Sequence, residues 1–159
     1  MIEKQVISNE ARQEIEGLFH HLPHKQAACI EALKVVQKHN RWVSDEALRE
    51  LAPILGMGVS EIDSVATFYN IIFRKPVARH VIFVCNSVSC WIMGYEEIIG
   101  YLRAELNLEY GQSTPDNRFT LLPIPCLGTC DHAPALMVDT DLYRDVTTDK
   151  LNEILSKYE

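Results

Sequence analysis

Up to about residue 72 the apolar positions recur at intervals of three and four, and beyond about residue 80 they gather into short runs separated by turn signals. Ile15, Leu18, Phe19 and Leu22 predict a first helix, capped by Ser8, with Glu10 in its opening turn and Pro23 beyond its end. A second helix is expected from about Lys25 to Lys38, with Cys29, Ala32, Leu33 and Val36 on its inner stripe. Behind Ser44 a third turns Leu48, Leu51 and Leu55 inward and stops at Gly56; Pro53 predicts a kink or an early end near Ala52. Ser60 and Asp63 resemble a capping box, launching a fourth helix through Ile62, Val65, Ala66 and Tyr69. Four short helices with brief connections predict a small bundle over residues 1–75.

The segment from Phe73 to His80 reads as an exposed joint, with Pro76 and the basic Arg74, Lys75 and Arg79; a docking patch for an acidic partner is the sharper alternative. Past it, Val81 to Val84 is a short strand ending at Cys85. A helix from Gly94 to Leu106 buries Ile98, Leu102 and Leu106, and Pro115, Asp116 and Asn117 turn the chain into a strand at Phe119 to Leu122. Ala135 to Asp139 gives a third strand, and a turn at Asp139 to Asp141 leads to a fourth around Leu142 to Arg144. Thr147 or Thr148 then caps a last helix carrying Leu151, Ile154, Leu155 and Tyr158. That order describes an α/β second domain over residues 76–159, with loops past the strand ends meeting at one sheet edge.

Composition narrows the function. The net charge of -7 repels phosphate backbones and no basic stripe studded with aromatics is present, so nucleic-acid binding is not expected. No apolar stretch has the length of a membrane span, so direct membrane insertion is not expected either. Met1 to Ser8 carries no apolar run of signal-peptide length, which points to a reducing cytosol. There, clustered cysteines serve metal binding or catalysis more often than disulfides.

Four of the five cysteines form two close pairs, Cys85 with Cys90 and Cys126 with Cys130, thirty-five residues apart. Two loops each offering two thiolates read as one cage, which Cys29, in a helical stripe, stays outside. Thiolate ligands suit zinc or iron-sulfur and exclude calcium and magnesium. Gaps of four and three residues leave zinc open. The loops Asn86 to Ser89 and Leu127 to Thr129 are rich in small residues that let backbone N–H groups approach inorganic sulfide, which favours iron-sulfur. Neither loop holds a third close cysteine, so a two-iron cluster with two thiolates per iron is the economical reading. A thioredoxin-type dithiol, with two intervening residues, is absent. His132 is redundant beside four thiolates, and His20, His21 and His24 read as a solvated surface. Trp91 either shields the cage or simply packs, and Phe68 and Tyr69 read as packing between domains or against another chain. Gly56-Met57-Gly58 is followed by Glu61 where a dinucleotide fingerprint needs its third glycine, so no NADH or flavin site of that kind is expected.

Taken together, Val65-Ala66-Thr67-Phe68-Tyr69, the loop Cys85-Asn86-Ser87-Val88-Ser89-Cys90, and Leu121-Leu122-Pro123 leading to Cys126-Leu127-Gly128-Thr129-Cys130 resemble the E subunits of bacterial NADH:quinone oxidoreductase, respiratory complex I. The likeness covers nearly the whole chain. It implies a thioredoxin-like ferredoxin domain behind a helical bundle, and one 2Fe-2S cluster bound by Cys85, Cys90, Cys126 and Cys130. It also implies a partner subunit that binds FMN and NADH, in a peripheral arm on the cytoplasmic side of the inner membrane. The chain itself would be an electron carrier with no catalytic residue of its own. The equivalent subunit of a soluble NAD-dependent hydrogenase or formate dehydrogenase shares the same module, and a zinc-stabilised adaptor is the alternative from another class.

Overall fold

The structure, a computed structural model, describes residues 6–159. The chain separates into two compact units, one ending at Pro76 and one running from Val77 to Glu159. The two carry separate apolar cores, one drawn from Ile7 to Ile72 and the other from Ile82 to Tyr158.

In the first unit, α1 (Asn9–Leu18) starts where Ser8 Oγ accepts the Ala11 N–H at 3.1 Å. A tight turn at Lys25–Ala28 precedes α2 (Cys29–Asn40), so the α-helix proper opens four residues later than the expected start at Lys25, at the first residue of its apolar stripe. α3 (Asp45–Leu55) is capped by Ser44, whose Oγ accepts the Ala47 N–H at 3.2 Å. It does not end at Ala52. Pro53 faces solvent while Leu51, Ala52, Ile54 and Leu55 are buried around it, and their packing holds the last turn despite the missing donor. Gly56, at φ +65°, ends the helix in the left-handed region that favours glycine.

The cap of α4 (Val59–Phe68) also differs from expectation. Gly58, not Ser60, is the cap residue, and its N–H donates to Glu61 Oε2 at 2.6 Å. Ser60 lies inside the helix, where its carbonyl accepts the Ser64 hydroxyl. The acidic residue three positions on has therefore found a glycine cap, which sequence cues for Ser or Thr overlook. None of the described helices is by itself long and apolar enough to cross a membrane. α3 and α4 together pass that test only as a pair bent by 115°, and their buried apolar residues belong to the first core.

The second unit is built on β1 (His80–Cys85), α5 (Val88–Ile92), α6 (Tyr95–Leu106), β2 (Phe119–Ile124), β3 (Leu136–Val138), β4 (Asp141–Tyr143) and α7 (Thr148–Leu155). The sheet order is β2-β1-β3-β4, with β1 and β2 parallel and the other two pairs antiparallel. Five of the six residues of β1 are buried, as expected of a central strand covered on both faces. The parallel register puts Cys85 beside Ile124, so both thiol-bearing loops leave the sheet at the same end. α6 contacts both β1 and α7. Arg118 stacks over Phe119 at 4.7 Å and donates to the Leu155 and Tyr158 carbonyls, tying the end of α7 to the start of β2.

The basic joint is largely consumed by its own units. Arg74 donates to Asp63 Oδ1 at 2.8 Å, to Asp45 Oδ1 at 2.6 Å and to the Val43 carbonyl. Arg79 reaches the Asp116 and Glu159 carbonyls, and His80 pairs with Asp139 at 2.7 Å. These contacts favour the plain connection over the docking patch.

Candidate metal centre

Three backbone segments converge at the carboxyl end of β1. The Cys85 N–H donates to the Ala135 carbonyl at 3.2 Å and the Asn86 N–H to the Ile124 carbonyl at 3.1 Å. This fixes the loop after β1, the loop after β2 and the approach to β3 against one another. A cis peptide joins Ala133 to Pro134 in that approach.

Each cysteine reaches the convergence differently. Cys85 is the last residue of β1, whereas Cys90 lies on α5, a five-residue helix where the sequence reads as a plain loop. Such a helix is too short to show a period, and its one local cue is Ser87, in extended backbone just before its first turn. Cys126 and Cys130 stand in the loop past β2, the second opening a single tight turn through His132. Gly128, at φ +73°, bends that loop, and its N–H donates to Cys126 Sγ at 3.3 Å. Only glycine adopts that conformation without strain.

Burial splits the pairs. Cys85 and Cys90 are each 2% exposed, while Cys126 and Cys130 are open to solvent. Burial pushes the Cys90 thiol up to about 11, and its contact with Cys85 and the nearby Cys130 act in the same direction. A hydrogen bond from the Ala135 backbone works against them. Cys90 is therefore a thiol at neutral pH, and metal binding there must displace its proton.

Cys85 and Cys90 are in contact, and Cys130 lies within electrostatic reach of Cys90. Cys126 joins through its loop. Among the described residues no three His, Cys, Asp or Glu side chains group closely enough to hold one metal ion. A two-iron cluster asks each iron for only two protein thiolates. The donor set fits such a group: all four ligands are sulfur, none is disulfide-bonded, and two backbone N–H groups already point at thiols.

The remaining candidates fall outside. His132 holds Asp145 Oδ2 at 2.8 Å through Nδ1 and lies 3.6 Å from Asp131 through Nε2. His20, His21 and His24 are exposed. Cys29 is buried in the first core, where desolvation raises its thiol. Trp91 is 58% exposed, beside the exposed Val88, Ile92 and Met93, so it does not fill the core. Phe68 is 77% exposed with Tyr69 edge-on against it. One residue enters the sequence reading only as a small loop residue. Thr129, between the paired thiols of the second loop, is 6% exposed, and its buried Oγ1 has no hydrogen-bond partner.

A short sheet with thiol loops at the carboxyl end of its parallel strands is the arrangement of a thioredoxin-like ferredoxin module. Residues 15–159 match the family model of thioredoxin-like 2Fe-2S ferredoxin. The chain is 48% identical over 153 residues to the E subunit of NADH-quinone oxidoreductase from Pseudomonas aeruginosa, covering 96% of this chain and 92% of that one. It is 47% identical to the E subunit of the same enzyme from Escherichia coli, over the same shares of both chains. Among solved structures, an NAD+-reducing NiFe-hydrogenase in the H2-reduced state superposes with a TM-score of 0.69 at 25% identity over 82% of this chain. The chain spans only 22% of that hydrogenase chain. The protein therefore belongs to the thioredoxin-like 2Fe-2S ferredoxin family, in the branch formed by the E subunits of NADH-quinone oxidoreductase.

Proposed function

We propose that Cys85, Cys90, Cys126 and Cys130 hold one 2Fe-2S cluster and that the chain carries single electrons beside the FMN of an NADH-binding partner subunit. The assembly is the peripheral arm of respiratory complex I, on the cytoplasmic side of the inner membrane. The observation that carries this reading is that the two thiol-bearing loops leave the sheet at the same end, where β1 and β2 finish side by side. When bound, the cluster supplies one-electron redox chemistry, whereas NADH gives up two electrons that a flavin separates. This chain's residues bind and insulate. The thiolates of Cys85 and Cys90 face a dry interior, those of Cys126 and Cys130 face outward, and the Gly128 and Ala135 N–H groups offset thiolate charge.

The hydrogenase likeness favours a second setting for the same module, a soluble NAD-linked enzyme with an equivalent flavoprotein. Its identity is about half that of the NADH-quinone oxidoreductase relatives, so the complex I setting is preferred. Anaerobic purification tests the chemistry. About two irons and two sulfides per chain, with one paramagnetic signal after dithionite, are expected. A colourless protein with one zinc per chain and no such signal would establish a zinc-stabilised adaptor instead. Affinity purification from native membranes tests the setting: an FMN-containing subunit should accompany the chain together with quinone-reducing subunits, and hydrogenase subunits in their place would overturn it.

A further inference from the structure

A buried hydroxyl without a partner costs on the order of 1–3 kcal/mol, and folded proteins nearly always avoid one. Among the described residues only two side-chain atoms are buried and unpartnered, Arg103 Nε and Thr129 Oγ1. Arg103 Nε lies 3.0 Å from a carboxylate oxygen of Glu109, so its charge is answered. Thr129 Oγ1 has nothing. It belongs to the three-residue span between Cys126 and Cys130, and the residue's own carbonyl is already taken by the His132 N–H. The preceding glycine directs its N–H onto Cys126 Sγ, so this span presents donors to sulfur. No sulfur of the four cysteines is bonded to the hydroxyl, and an acceptor arriving with the cluster would give it a partner.

We propose that Thr129 is a positioning residue whose hydroxyl donates a hydrogen bond to a sulfur of the bound cluster and thereby raises its reduction potential. The inference rests on the cluster assignment above. Reduction adds one negative charge to the sulfur-rich group, so a donor aimed at sulfur stabilises the reduced form more than the oxidised one. The hydroxyl is paired only in the loaded protein, so the same bond also favours cluster retention.

The test uses the full chain, reconstituted with iron and sulfide, as wild type and as Thr129→Val, Thr129→Ser and Thr129→Ala. Midpoint potentials are read by redox titration of the paramagnetic signal. Thr129→Val keeps the shape and removes the donor. It should lower the reduced-to-oxidised ratio at fixed poise by roughly threefold to tenfold, tenfold corresponding to about 59 mV for one electron. Thr129→Ser should restore most of the wild-type value. Equal potentials in wild type and Thr129→Val would overturn the proposal. Should the valine variant fail to hold a cluster, Thr129→Ala against Thr129→Ser decides, and equal potentials in those two overturn it as well. Failure of the wild type to take up iron and sulfide would instead overturn the cluster assignment.

Discussion

Cys29 and Cys126 carry the same functional group into opposite settings. Cys29 is buried among Ala32, Leu33 and Val36, where desolvation pushes its thiol above the usual range, so it acts as a small apolar side chain. Cys126 is exposed and accepts a backbone N–H on its sulfur. Replacing Cys85, Cys90, Cys126 or Cys130 by alanine should abolish or severely impair cluster assembly, seen as loss of the visible absorption of the reconstituted chain. Cys29→Ala should leave that spectrum intact and cost roughly 1 kcal/mol of stability through lost packing. Spectral loss in the Cys29 variant with retention in the Cys126 variant would reverse the assignment. The four candidate ligands were legible in the sequence because soft-metal chemistry needs only thiolates in two close pairs. Their unequal burial was not legible, and neither was the burial of Thr129, because exposure is set by which strands happen to cover a loop.

Helix boundaries show what local signals can and cannot resolve. Ser8 and Ser44 cap α1 and α3 as their side chains dictate, since a hydroxyl beside free N–H groups is a local fact. At Pro53 the local rule lost to packing, because the residues flanking it are held in the first core. α5 was invisible since a single turn shows no period. Arg74 connects such elements, bridging Asp45 at the start of α3, Asp63 on α4 and the Val43 carbonyl with a side chain only 18% exposed. Arg74→Met should therefore destabilise the first unit by about 1–3 kcal/mol, toward the low end because both carboxylates keep access to water. Lys75→Met, at an exposed neighbouring position, should change stability by less than about 0.5 kcal/mol. Urea unfolding of both variants checks the contrast, and equal effects would remove Arg74 from its role as a tie.

At the scale of the whole chain, a change of hydrophobic period near residue 75 and a division of contacts between Pro76 and Val77 fall almost together. The two cores share no residue, and all four candidate ligands lie in the second unit. The fragment from Val77 to Glu159 should then fold by itself and take up about two irons and two sulfides. An α/β unit of this size has a core that supplies only a few kcal/mol, so ligands binding only the folded form should weigh heavily in its stability. Loops after β1 and β2 are far apart along the chain, and a cluster bound to both would cross-link them, holding β1, β2 and the approach to β3 together. The loaded fragment should accordingly unfold cooperatively at a clearly higher temperature than the metal-free one, with chelator returning it to the lower value. Circular dichroism melts on both forms make the measurement. Equal melting temperatures would mean that the protein scaffold alone fixes the centre, and a fragment that takes up no iron would mean that the helical unit is needed to build it.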